Sequence, residues 1–192
     1  MVSMIKRRLG RYLTFKPKYL RRVLSSSKTA TIRLGLVKPM YRRVYIESCG
    51  RLYGEALISR VRHLRLSDLR EEDAVKGGFH SLRDMLRELE AIYPTIKPSD
   101  WVTVIEFELL EKFEPPVDKR LAVKGAAQIA RLALAYNAYR DARERLVLAS
   151  LAAGEGLIEA AEGCGLSLGK VLEILRAARD RLRLMGCAPP PS

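Results

Sequence analysis

The sequence predicts an α+β chain, a small curled sheet or β-barrel with flanking helices followed by an all-α unit. Three observations carry that expectation. Up to residue 113, short runs rich in β-branched and aromatic residues are interleaved with stretches of helical spacing. Beyond residue 117, long Ala-, Leu- and Arg-rich stretches with few strand formers take over. Between them stands Glu114-Pro115-Pro116, where a boundary is expected, giving units of 1–113 and 117–187.

In the first unit, Tyr12 to Phe15 reads as a short strand and Lys18 to Ser26 as a short helix. Thr29 to Arg33 reads as a second strand, favoured by its β-branched residues. Further strands are expected over Val44 to Ser48, Leu52 to Arg62 and Trp101 to Leu110. Between the last two, Leu82, Met85, Leu86, Leu89 and Tyr93 recur at helical spacing. Ser81 and Asp84 there resemble a capping box, and Pro94 follows the helix end. The second unit reads as helices over 118–137, 142–153, 157–163 and 168–185. Its tail, Ala188 to Ser192, holds three prolines in a row; it cannot continue a helix and is expected to fray.

At 192 residues and 48% hydrophobic, the chain can bury a real core. The start Met1-Val-Ser-Met-Ile-Lys-Arg-Arg lacks the apolar run of a signal peptide, and no apolar stretch approaches the roughly 20 residues that span a bilayer. No membrane partner is therefore expected, and the cytoplasm is the default location. Cys49, Cys164 and Cys187 are too far apart for a C-x-x-C zinc knuckle and odd in number, so they read as reduced thiols. Asn137 and Gln128 are the only amides among abundant arginines, a bias that points to a heat-adapted, thermophilic chain.

Charge is distributed unevenly. Residues 1 to 46 hold 13 of the 35 Lys and Arg and no Asp or Glu, so all of the +13 net charge sits in that segment. Self-repulsion of this kind is costly for a compact fold unless an external polyanion uses it. Lys6, Arg7, Arg8, Arg11, Lys16, Arg21 and Arg22 are the candidate phosphate contacts. Tyr41 and Tyr45, flanking Arg42 and Arg43, add the mixture of ring and cation that suits a single strand.

Near the C-terminus, Ala161 would let two helices cross closely, and Gly165, four residues on, could take the positive φ of a tight turn. Ser167 can cap the next helix, and Val171 and Ile174 face back to the core. That helix carries Lys170, Arg176, Arg179, Arg181 and Arg183 against Glu173 and Asp180. The stretch from about Arg143 to Met185 resembles the helix-turn-helix of regulators and the DNA-reading region of sigma factors. The resemblance implies a helix in the major groove, with Ser167, Gly169 and Lys170 nearest the bases and Arg176 toward phosphate. The alternative is an αα-hairpin that packs or makes a homodimer through the C-terminal helices.

Leu13-Thr14-Phe15, a short helix, and Ser25-Ser-Ser-Lys28-Thr29-Ala-Thr31-Ile-Arg33 resemble the opening of the ASCH domain family. Leu66-Ser-Asp-Leu69, Ala74-Val-Lys-Gly-Gly-Phe79, Tyr93-Pro94 and Val104-Ile-Glu-Phe107 follow in that family's order over residues 12 to 112. The resemblance implies a PUA-like barrel and a cleft for RNA or a nucleotide-like ligand beside Lys28, Thr31 and Arg33. Some members hydrolyse the amide of acetylated cytidine, and for those Lys28 and Thr31 carry over. The acid does not, because Lys76-Gly77-Gly78-Phe79 stands where relatives have acid-Gly-Phe, and Glu71, Glu72 and Asp73 are displaced from it. Thr29, Thr31 and Arg33 alternate onto one strand face. Arg33 could instead pair internally with Glu47 or Glu55.

Other constellations carry little. Ser27-Lys28-Thr29 lacks the upstream glycines of a P-loop. Glu106 and Glu108 share a strand face with bases nearby and read as salt-bridged or solvated, while His63 and His80 stand without ligand partners. Trp101, Phe107 and Phe113 are expected in the core. No metal and no cofactor is implied. The function expected is nucleic-acid binding, RNA and/or DNA, with an amidohydrolase of modified nucleosides as the enzymatic alternative and a helical dimerisation module as the third.

Overall fold

Strand alternation at residues 102 to 107 fixes the layering of the N-terminal unit. In the computed structural model, which describes residues 6–119 and 121–187, Val102 and Val104 face one side of a sheet and Ile105 and Phe107 the other. The side chains of Lys6 and of residues 121–124, and the tail from 188, lie outside the described residues, and with them the expected Lys6 contact and the expected frayed tail. The chain divides between Pro116 and Val117 into two compact units.

In the first unit the order is β1 (Lys6–Leu9), β2 (Tyr12–Thr14), α1 (Pro17–Leu24), β3 (Ala30–Leu34), β4 (Leu36–Pro39), β5 (Arg43–Ser48) and β6 (Arg51–Arg65). After a 3-10 turn at Leu66–Asp68 come α2 (Glu71–Lys76), α3 (Leu82–Ile92) and β7 (Trp101–Asp118). A five-stranded mixed sheet runs β2-β5-β6-β7-β3, with β2 parallel to β5 and β3 antiparallel to β7. A separate parallel pair joins β1 to β4. The sheet is thus an ordered row whose ends are β2 and β3, and among the described residues no pairing closes it.

One face of this sheet packs Leu13, Phe15, Val23 and Ile46 against Ile105 and Phe107, bringing in α1. The other packs Met85 and Leu89 of α3 against Ala30, Val102 and Val104. Because both faces are covered, β7 buries four residues in succession, Val102 to Ile105. Thr103 is fully buried there and is satisfied by donating to the Gly35 carbonyl at 2.6 Å and accepting from the Val37 amide at 2.9 Å. α2 is pinned by Asp73, which takes both the Arg62 guanidinium and the Arg70 amide. Lys76 binds Glu106 at 2.8 Å, the salt-bridged state expected for that strand face.

Several elements differ from the sequence expectation. β1, β4 and α2 are short and were not anticipated, since four to six residues give little periodicity to read. β7 continues through Pro115 and Pro116 to Asp118, past the expected stop at Leu110, and the Glu114–Pro115 bond is cis. A helix from 118 is therefore corrected: α4 spans Leu121–Ala135. Trp101 is only partly buried, with the Arg65 guanidinium 4.2 Å from its ring centroid, whereas Phe107 and Phe113 are in the core.

The second unit comprises α4, α5 (Ala142–Ala152), α6 (Leu157–Gly163) and α7 (Leu168–Leu184). Its core uses small residues where helices meet, with Ala130, Ala133, Ala160, Ala161 and Ala178 buried beside Leu148, Leu151, Leu168 and Leu182. Glu144 is buried between Arg181 at 2.8 Å and Arg140 at 3.2 Å, tying α5 to α7. Burial pushes its carboxyl up, but the hydrogen bonds from Arg181 and Arg140 outweigh this and hold it below its ordinary value. No described helix is long and apolar enough to cross a membrane.

Gly54 on β6 lies close to β7, where a Cβ would stand 2.3 Å from the Glu111 carbonyl oxygen. Gly54→Ala is expected to lower the unfolding free energy by about 1–3 kcal/mol through forced separation of the strands. Urea denaturation monitored by circular dichroism measures it.

Candidate nucleotide-binding cavity

The site begins with the three-serine turn that follows α1. Pro17 starts the helix with its φ already set, and Arg21 and Arg22 sit in the last turn, where cations suit the helix dipole. The Arg22 carbonyl then accepts the Lys28 amide at 2.9 Å and the Ser25 and Ser27 hydroxyls at 3.2 Å. This folds Lys28 inward at the entrance to β3, and the Lys28 side chain is 5% exposed.

What receives Lys28 is a loop, not a carboxylate. Gly78 takes φ +77°, and a Cβ there would lie 3.1 Å from the Lys28 Cβ. That turn aims two successive carbonyls at α1 and β3: Lys28 Nζ donates to Gly77 O at 2.7 Å, and Arg22 donates to Gly78 O at 2.7 Å. Lys28 Nζ also lies 5.2 Å from the Tyr19 ring centroid and 5.4 Å from that of Phe79, the two rings meeting edge to face.

These groups open onto a cavity of about 120 Å³. Thr31 and Arg33 of β3 form one wall, Tyr19 and Phe79 another, and α3 contributes Met85, Glu88, Leu89 and Tyr93. Lys16, exposed, stands at its margin. Arg33 donates to the Thr14 carbonyl at 2.6 Å and meets neither Glu47 nor Glu55, while its buried Nε has no partner. Thr29, expected beside Thr31 and Arg33, is instead held in the backbone ladder between Lys76 and Phe107 and is not part of the cavity lining.

Electrostatics follow from this geometry. Burial, reinforced by repulsion from Arg33 and Arg22, lowers the Lys28 ammonium to about 8. Burial also lowers the Arg33 guanidinium, which stays cationic. Glu88 is the one carboxylate of the cavity wall, and it is occupied: Lys18 and Tyr19 both donate to its Oε1 at 2.5 Å. Those hydrogen bonds, Lys18's first, hold Glu88 below its ordinary value and therefore ionised. The cavity thus combines buried Lys28 and half-buried Arg33 with aromatic and apolar walls, Thr14 and Thr31, and, among the described residues, one anchored carboxylate.

Sequence reasoning missed Glu88. It looked for an acid beside Gly77-Gly78-Phe79, but Asp73 is spent on Arg62 and Glu71 accepts the Leu82 amide at 2.8 Å. Glu88 lies one helical turn past Asp84 and one residue before Leu89, on the side of α3 that lines the cavity. The only sequence signal was its i+3 spacing from Met85, a core position.

Other expected contacts lie elsewhere. Arg7 and Arg8 are exposed on β1, Arg21 is exposed on α1, and Arg42 is exposed before β5. Arg11 stacks on Tyr41 with 4.0 Å to the ring centroid, and Arg43 pairs with buried Glu55 at 3.2 Å. In the second unit Gly165 has φ +64°, and the Ser167 hydroxyl caps α7 by accepting from the Lys170 amide at 3.2 Å. Lys170 pairs with Glu173 at 2.9 Å and Arg181 with Glu144, so of that helix's bases Arg176 and Arg183 are, among the described residues, exposed and without an ion pair. Among the described residues no three His, Cys, Asp or Glu side chains converge as a metal site.

Keeping Lys28 charged in this setting costs the fold on the order of 3 kcal/mol at neutral pH. Folded Lys28 releases its proton near pH 8 and unfolded Lys28 near 10.5, so between those values the unfolded chain binds more protons and stability rises with pH. Lys28→Met is therefore expected to be more stable than the parent at pH 7, by about 1–3 kcal/mol. The difference should shrink as pH climbs from 8 to 10.5, which denaturation at several pH values reads directly.

No family model and no curated protein sequence matches the chain. Among solved structures, the chain is similar to ASCH from Zymomonas mobilis, at 12% identity and TM-score 0.48 over 60% of this chain and 78% of that one. It is likewise similar to the ASCH domain from Lactobacillus crispatus JV V101, at 13% identity and TM-score 0.46 over 55% of this chain and 80% of that one.

Proposed function

We propose that the protein binds nucleic acid, with RNA as its main partner, and holds one nucleotide unit in the cavity lined by Lys28, Thr31 and Arg33. The observation that carries this reading is the pairing of buried Lys28 with half-buried Arg33, each held by a main-chain carbonyl with no carboxylate against it. Leaving such charges uncompensated costs several kcal/mol, and an anionic ligand offsets that cost. Tyr19, Phe79 and Tyr93 supply ring faces for a base, and the unpartnered Arg33 Nε is a donor awaiting an acceptor. The motif order that resembles the ASCH family points the same way. In this reading α7 adds a duplex contact through Lys170 and Arg176, with the positive-φ Gly165 setting the turn before it.

Glu88 favours a second reading, hydrolysis of the amide of an acetylated cytidine. With Lys28 and Thr31 on the same cavity, Glu88 provides the acid that the Gly-Gly-Phe element lacks. Glu88 is ionised there, anchored by Lys18 and Tyr19, and an amine lowered to about 8 is suited to exchange a proton near neutral pH.

Replacing Lys28 by Met or Arg33 by Gln is expected to weaken binding of cytidine monophosphate and of a short RNA by about 10- to 150-fold, the loss of one charged hydrogen bond. Calorimetric titration measures it, and affinity unchanged in both variants contradicts the reading. Incubation with acetylcytidine separates the alternatives: acetate released by the parent and abolished in Lys28→Met and Glu88→Gln assigns the cavity to hydrolysis.

A further inference from the structure

The ribbon formed by β1 and β4 places like charges side by side. Its register sets Arg7 beside Val37 and Arg8 beside Lys38. Residues in register share a face, so Arg8 and Lys38 are adjacent cations, an arrangement that destabilises strand pairing. Both are exposed, and among the described residues neither meets a carboxylate; the same holds for Arg7 and Arg42. A two-stranded ribbon is marginal on its own. Uncompensated repulsion on it is tolerable when an external anion sits there.

Next to the ribbon, Met40 donates its amide to the Leu9 carbonyl at 3.0 Å, which brings exposed Tyr41 alongside. The Arg11 guanidinium covers one face of that ring and the ring remains 43% exposed. Cations in a row beside an open aromatic face are the equipment of a single-strand platform. The ribbon is also continuous with the cavity. Gly10 and Arg11 alone separate β1 from β2, whose Thr14 lines the cavity, and Gly35 alone separates β4 from β3, which carries Arg33.

We infer that the β1–β4 ribbon is a second contact surface, which takes the phosphodiester backbone of a single-stranded nucleic acid on Arg8 and Lys38 and stacks one of its bases on Tyr41. The identity of the polymer rests on the nucleotide reading of the cavity; the ribbon's need for an anion does not. A polymer lying on the ribbon while one unit enters the cavity gains affinity from both, and a free mononucleotide gains only from the cavity.

The test uses the full chain with Arg8→Gln and Lys38→Gln combined, a labelled oligouridylate, and cytidine monophosphate as the cavity probe. Oligouridylate affinity should fall, and the slope of log affinity against log salt should shrink by about 1.4, two phosphate contacts at about 0.7 each on a single strand. Cytidine monophosphate affinity should stay unchanged, and the melting temperature should hold or rise because a like-charge pair is relieved. Tyr41→Ala should weaken oligouridylate binding without altering that slope. An unchanged slope overturns the inference, as does a fall in melting temperature. So does binding of phosphatidylserine vesicles that the double variant loses while oligouridylate binding persists, since the partner is then a membrane. Failure of the cavity reading looks different: cytidine monophosphate binding that Lys28→Met leaves intact, with the ribbon's salt slope still present.

Discussion

Everything at the cavity depends on the Gly77-Gly78 turn offering carbonyl oxygens, rather than a carboxylate, to two cations. A carbonyl satisfies hydrogen-bonding geometry but leaves the charge uncancelled, whereas an acid at the same place would neutralise it and close the cavity to anions. Gly78's positive φ and the 3.1 Å approach of a Cβ there to Lys28 explain why a side chain is excluded at that point. The same loop reaches Arg22 on α1, so the turn sets both the electrostatics of the cavity and the position of the helix that walls it. Glu88 does not undo this, because Lys18 and Tyr19 already use it. In the proposed reading, the stability given up at Lys28 serves binding, a trade common at functional sites.

Much of the arrangement was legible in the sequence, and the reasons differ by element. The apolar run from Trp101 and the Met85, Leu89 spacing identified β7 and α3, the strand buried on both faces and the helix on one. The strand with Lys28, Thr31 and Arg33 was read from its β-branched residues and from its resemblance to a family opening, and the structure sets the three on one cavity. Glu88 was not legible. A glutamate one residue before a buried leucine reads as helix surface, and it is the hydrogen bonds from Lys18 and Tyr19 that hold it at the cavity. The ribbon was equally hidden, since Lys6–Leu9 and Leu36–Pro39 are too short to show a period and find one another only across intervening chain.

Charge gave the most economical sequence signal, and the structure divides it. The acid-free segment reads as a single polyanion surface by composition, yet Lys18 and Arg43 are taken up by Glu88 and Glu55, which lie beyond it. Among the described residues, the cations left without a carboxylate include Lys28 and Arg33 at the cavity, Arg8 and Lys38 on the ribbon, and Arg21 on α1. In the helical unit the arithmetic shifts the other way. Counting bases on α7 suggested a strong field, but Lys170 and Arg181 are paired within the unit, and the exposed bases left without an ion pair among the described residues are Arg176 and Arg183.

Titration of the Lys28 ammonium by NMR, with and without saturating cytidine monophosphate, tests the central claim most directly. Free protein should titrate near 8, and a bound phosphate beside the amine should move the midpoint upward toward the ordinary lysine value of 10.5. A midpoint that stays put on saturation, or one already at 10.5 in the free protein, would contradict an anion site built on a desolvated lysine.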